Sequence, residues 1–155
     1  MANEVIIAAL APVLTKLRTL DLARPGDAQA TLNAEFGLES VVGKRLATLG
    51  ELGIKEGWLC DKGNEGSRFS RVAKAEKAMG FSVDAVLLSA SGPWHRHTKG
   101  EANFCICLEG QPKFCGHGPG WAVFAPGSEH VPSVSGGTML IFYLLPDGAV
   151  EWKKS

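Results

Sequence analysis

The sequence predicts a mainly β fold with a helical front end: about three helices over residues 1–58, then an antiparallel β-sandwich or small barrel over residues 59–155. Three observations predict it. Apolar residues recur at helical spacing up to about residue 58 and at strand spacing beyond it. Nineteen glycines, mostly in the second half, punctuate that half at turn-like intervals. The 155 residues suffice for one compact domain and are too few for two ordinary ones.

Val5, Ile6, Leu10, Val13, Leu14 and Leu17 carry the first helical repeat. The run "VIIAALAPVL" follows Glu4 rather than a basic residue and continues amphipathically through Lys16 and Arg18, so it reads as a mature helix rather than a signal core, and the protein as cytoplasmic. Pro25-Gly26 then breaks the chain, Asp27 is placed to cap a second helix, and Gly37 to stop it. Val42, Leu46, Leu49 and Ile54 carry the third, which ends before Trp58. Without a basic stripe these helices predict a cap or dimer-forming layer rather than a DNA-reading helix-turn-helix.

Six strand-like segments follow: "SRFSRVAKA", "GFSVDAVLLSA", "ANFCICLEG", "QPKFCG", "GWAVFAPG" and "GTMLIFYLLPDG". Each is short and rich in β-branched or aromatic residues, with Gly80, Gly92, Gly110, Gly116 and Gly127 among the separators. Sixteen basic and sixteen acidic residues cancel, which argues against nucleic acid as a partner. No apolar run approaches the roughly 20 residues of a membrane span. Cys105 and Cys107 share strand parity and cannot readily bridge each other, so the four cysteines predict reduced thiols.

The chemistry gathers in "GPWHRHTKGE". In an extended segment residues i and i+2 face one side, so His95 and His97 present both imidazoles to one point. Glu101 opens the next strand after a turn at Gly100, and His130 follows the turn "PGSEH". Three imidazoles and a carboxylate suit zinc, iron, manganese or nickel rather than calcium.

"GPWHRHTKGE", the closing Glu109-Gly110 and "GWAVFAPGSEH" resemble the two motifs of the cupin barrel. That resemblance implies a cupin-type antiparallel β-barrel (a double-stranded β-helix, or jelly roll) with a metal held by His95, His97, Glu101 and His130. A closer resemblance covers most of the chain. The helical N-terminus, "GWLC", "RFSRVAKA", "GFSVDAVL" and the run from Gly120 to Trp152 are similar to the para-hydroxylaminobenzoate lyases of bacterial nitroarene degradation. It implies release of ammonia from an aryl hydroxylamine to give a catechol.

That reaction, with para-hydroxylaminobenzoate and water giving 3,4-dihydroxybenzoate and ammonia, involves no net oxidation. No flavin or nicotinamide is needed, and no G-x-G-x-x-G fingerprint is present. A divalent transition metal supplies Lewis acidity and lowers the pKa of a bound water from ~15.7 toward ~7, roughly 12 kcal/mol of proton-release free energy. Glu101 is either the fourth ligand or an acid/base, and His130 is both ligand and candidate catalytic group.

A small aromatic carboxylate wants a flat apolar slot and one cation. Trp94, Phe104, Trp121 and Tyr143 are candidate walls, together with Phe124, although core packing is the commoner fate of such residues. Arg71 is the candidate carboxylate partner. Arg96 alternates away from the histidines, Glu129 sits in a solvated turn, His117 in a glycine-rich loop, and Cys105 reads as a buried thiol. Two other functions fit the same ligand types: an Fe(II) dioxygenase acting on an aromatic compound, and a non-catalytic small-molecule-binding cupin. Exposed edges of a small barrel are often paired with a second copy, which predicts a homodimer.

Overall fold

The computed structural model describes residues 2–152. The helices are α1 (Ala2–Leu17), α2 (Pro25–Phe36) and α3 (Val41–Glu56). Ile6, Leu10, Val13, Leu14 and Leu17 form the buried stripe of α1. One detail differs from the sequence reading. Pro25 takes the first helical position, where its fixed φ is pre-organised and its missing N–H is not needed, so Arg24 rather than Asp27 is the capping residue. Asp27 instead lies in the first turn and pairs with Arg24 at 2.9 Å. Gly37 ends α2, as its position predicts. Ser40 caps α3 by accepting from the Gly43 N–H at 3.0 Å, and Gly57, at φ +84°, closes it.

The strands are β1 (Lys62–Asn64), β2 (Ser67–Ala73), β3 (Phe81–Leu88), β4 (His95–His97), β5 (Glu101–Phe114), β6 (Gly120–Phe124), β7 (Ser128–His130) and β8 (Val134–Pro146). The segments read as separate strands around Gly110 form one strand, β5. Its ladder with β8 shifts register between Cys107 and Glu109 and again between Gly110 and Lys113, so pairing resumes beyond the glycine. Antiparallel pairing orders six strands as β1-β2-β3-β8-β5-β6, and β4 pairs with β7 in a small second sheet.

Alternation gives the large sheet two faces with different work. Ala102, Phe104, Ile106, Leu140, Phe142 and Leu144 share a core with the buried stripes of the helices. The approach is close: a Cβ on Gly50 of α3 would lie 2.3 Å from Leu140 Cδ2. Leu88, Cys105, Ala122, Met139, Ile141 and Tyr143 line the opposite face. The β4-β7 pair lies over that face, with the His95 and Tyr143 ring centroids 6.2 Å apart.

Helix α2 covers the outer edge of β6. Asn33 accepts from the Trp121 N–H at 2.8 Å and donates to the Trp121 carbonyl at 3.3 Å, while Gln29 accepts from the Val123 N–H at 3.0 Å. Gln29 and Asn33 stand one turn apart, so one helix face satisfies backbone groups that an edge strand otherwise leaves open. No described helix is long and apolar enough to cross a membrane.

Candidate metal centre

Two short strands and one turn assemble the cluster. In the β4-β7 ladder His95 lies opposite His130, Arg96 opposite Glu129 and His97 opposite Ser128. The two-residue period turns His95 and His97 to one side, and cross-strand pairing brings His130 beside His95. Gly100, at φ +92°, then reverses the chain into β5, and its N–H donates to the His97 carbonyl at 3.2 Å. A Cβ at Gly100 would crowd Leu22 and the Phe124 carbonyl at 3.0–3.1 Å. The turn delivers Glu101 under the histidines, and one potential ligand atom from each of His95, His97, Glu101 and His130 lies within 4.8 Å of the others.

Hydrogen bonds on the outer side fix the inner side. His95 Nδ1 lies 3.4 Å from the Pro93 carbonyl, which can only accept, so Nδ1 carries the proton. His97 Nδ1 lies 2.9 Å from Ser128 Oγ, whose own proton goes to the Ala125 carbonyl at 2.5 Å, so this Nδ1 also donates. His130 Nδ1 faces Cys115 Sγ at 3.6 Å. The Nε2 lone pairs of His95 and His97 therefore point inward. His95 Nε2 sits 3.2 Å from His130 Nε2 and 3.2 Å from Glu101 Oε2. His97 Nε2 lies 3.3 Å from Glu101 Oε1 but is not aligned to hydrogen-bond with it, and it is buried without a partner.

Converging lone pairs and a carboxylate in a closed space repel one another unless a cation lies among them. The four side chains fit a divalent transition metal, with the other imidazole nitrogen held by an outer partner in the manner of metal-ligating histidines. Burial opposes ionisation of Glu101, but in the metal-free site a proton taken up on the inner nitrogens of His95 and His97 supplies hydrogen bonds and charge that outweigh that cost and hold the carboxyl down at about 2. Asn103 Nδ2 adds a donor to Glu101 Oε1 at 2.7 Å. Burial pulls His130 down to about 4, against the attraction of Glu101, which keeps this imidazole neutral near pH 7.

A pocket of about 580 Å³ opens beside the cluster, lined among others by Phe69, Arg71, Asp84, His95, Tyr143 and Trp152. Its size lies within the roughly 300–1,000 Å³ of small-molecule sites. The sheet register explains the wall: Arg71, Asp84, Tyr143 and Asn103 are successive cross-strand partners on β2, β3, β8 and β5. Arg71 Nε donates to Asp84 Oδ1. Burial raises the Asp84 carboxyl despite that partner. The Tyr143 hydroxyl is buried without a hydrogen-bond partner, and burial keeps it well above the ordinary tyrosine range.

The family model for 4-hydroxylaminobenzoate lyase matches residues 10–152. The chain belongs to that family. A 4-hydroxylaminobenzoate lyase of Pseudomonas putida is 29% identical over 140 residues, covering 78% of this chain and 80% of its own. Another, from Nocardioides sp. (strain LMS-CY), is 30% identical over 158 residues, covering 95% and 92%. Among solved structures, an RmlC-like cupin protein of Ralstonia eutropha aligns over 59% of this chain and 62% of its own, at 14% identity and a TM-score of 0.44. Bacillus subtilis oxalate decarboxylase aligns over 61% and 31%, at 14% and 0.47.

In this lyase-family chain the residues singled out from sequence divide cleanly. His95, His97, Glu101 and His130 come together, and Arg71 and Tyr143 line the adjoining pocket. Phe104 and Trp121 do not: they pack ring to ring at 4.9 Å in the helix-facing core, on the wrong side of the sheet to wall a pocket there. Trp94 is half-buried with the Arg96 guanidinium over its ring at 5.7 Å, outside the pocket lining. Arg96 turns away from the histidines toward Glu129, at 2.8 Å, which is exposed but lies in strand β7 opposite Arg96 rather than in a turn, because the short β4-β7 ladder extends through it. His117 packs its ring 5.6 Å from Phe124, which itself stacks on His97 at 5.4 Å, and Cys105 is buried. The sequence reading missed Phe69, Asp84, Asn103, Ser128 and Trp152. Asn103 had a signal, since it shares strand parity with Glu101. Trp152 had none.

Proposed function

We propose that the protein converts 4-hydroxylaminobenzoate, or a close aryl-hydroxylamine relative, to 3,4-dihydroxybenzoate with release of ammonia. One observation carries this reading beyond family membership: an apolar pocket with a guanidinium on its wall reaches the largely buried three-histidine, one-glutamate cluster at His95. In this reading His95, His97, Glu101 and His130 hold a divalent transition metal, and zinc, iron, manganese and nickel all suit the donor set. When bound, the metal supplies Lewis acidity toward the hydroxylamino oxygen and makes water a better nucleophile.

The chain's own groups do the rest. Arg71 is tied to Asp84 through Nε, and the terminal nitrogens of its guanidinium form a planar seat for the substrate carboxylate. The unpartnered Tyr143 hydroxyl donates a hydrogen bond to the hydroxylamino oxygen, steadying it as the N–O bond breaks. Glu101, anionic and fully buried, serves as ligand rather than proton carrier. As the N–O bond breaks its oxygen leaves as water and one water adds to the carbon beside the nitrogen-bearing one; a second water then displaces the nitrogen as ammonia, so two waters enter, one leaves and no external oxidant is needed.

The test is turnover of 4-hydroxylaminobenzoate under argon, following ammonia and 3,4-dihydroxybenzoate. The expected result is equal turnover with and without dioxygen, loss after chelation and recovery on adding metal. Activity that needs dioxygen would replace the lyase with a cupin dioxygenase. Tight binding with no turnover in metal-replete protein would make it a binding protein.

A further inference from the structure

We infer that Phe69 and Trp152 form a two-sided aromatic seat for the ring of the substrate, and that the segment carrying Glu151 and Trp152 is part of the active-site wall. This seat presupposes the aryl-hydroxylamine reading above and specifies how the ring is held. Both side chains are large, apolar and unusually open, at 47% and 53% exposure, and both line the same pocket. Scattered exposed aromatics need no explanation, but two that converge on one cavity beside a ligand cluster do.

Each ring is fixed in place by a different element. Phe69 stands on β2, and Gly63 leaves room for it: a Cβ there would lie 3.2 Å from the ring. Trp152 is held by the strand that carries the ligands. The Arg96 N–H donates to the Glu151 carbonyl at 2.9 Å and the Glu151 N–H donates back to Arg96 at 3.0 Å. This bridge falls on the residue between His95 and His97, so the segment lies beside β4. The Trp152 ring centroid sits 5.4 Å from that of His95, which puts an indole against the flank of the cluster. The lining of the same pocket also includes Val86, Leu88 and Pro132. A flat ring gains from stacked or edge contacts at roughly 4.5–7 Å, whereas a puckered saturated ring gains less.

The experiment is calorimetric titration of the purified metal-bound protein with 4-aminobenzoate, which lacks the N–O bond and cannot react, and with its saturated counterpart trans-4-aminocyclohexanecarboxylate. Wild type should prefer the aryl acid by about tenfold or more. Trp152→Ala and Phe69→Leu should each lose about tenfold in affinity for the aryl acid and little for the saturated one, while Trp152→Phe keeps the preference. Metal content and circular dichroism verify each variant, and Phe69→Leu serves if Trp152→Ala disturbs the cluster. Unchanged aryl affinity in Phe69→Leu and in a folded, metal-replete Trp152→Ala would overturn the seat while leaving the lyase reading intact. Failure of wild type to bind 4-aminobenzoate at all would overturn both.

Discussion

The Ser128 hydroxyl stands 2.9 Å from His97 Nδ1 while committing its own proton to the Ala125 carbonyl. A serine thus decides which nitrogen of a candidate ligand histidine carries hydrogen. Ser128→Ala should leave the fold intact and weaken metal affinity about 10–100-fold, the usual loss when an outer-shell partner is removed. Competition against a chelator of known affinity measures it, and an unchanged affinity would show that Ser128 does not orient His97.

Gly100 carries a second prediction. Its φ of +92° and the close approach of Leu22 and Phe124 leave no comfortable place for a methyl group. Gly100→Ala should destabilise the protein by about 1–3 kcal/mol through backbone strain. Because Glu101 is the next residue, metal affinity should fall with it. Thermal melts with and without metal separate the two effects.

Arg71 offers a test of substrate polarity. Replacing it with alanine removes a charge-assisted contact of about 1.5–3 kcal/mol, which is a rise of roughly tenfold to a hundredfold in KM for 4-hydroxylaminobenzoate. Phenylhydroxylamine, which has no carboxylate, should show no such change. A similar rise for both substrates would mean that Arg71 only braces Asp84.

Acid should weaken the metal-free protein through His130. Burial sets its folded pKa at about 4, below the ordinary value near 6.5. The unfolded chain therefore binds this proton more readily, and stability rises with pH across the interval. The contribution is full above about pH 6.5 and is lost as pH falls through about 4. Calorimetric Tm of chelator-treated protein should decline over that window, and His130→Asn should flatten the decline.

Long periodic features and residue chemistry were legible in the sequence. The helices of 12 to 16 residues carry enough turns for their spacing to register, and His95 and His97 share a face under the simplest rule for extended chain. Strands β1 and β7, at three residues each, are too short for any period. Strand β5 looked divided because Gly110 and Pro112 are turn residues, and only pairing with β8 shows the ladder continuing past them. Phe104 was misassigned although its parity, opposite to that of Glu101, already pointed it at the helices. The row from Arg71 through Asp84 and Tyr143 to Asn103 depends on the register of four strands, and the seating of Trp152 depends on a bridge to Arg96 across 55 positions of chain. Neither can be read locally.

The small sheet of β4 and β7 supplies three of the four candidate ligands, while the fourth belongs to the large sheet. An ion bound there would rivet one layer to the other. Drawing it out should free the thinner layer first, so amide exchange at residues 95–97 and 128–130 should quicken on demetallation well before the helix-backed strands loosen. Catalytic loading and the mechanical closure of the pocket would then be one event.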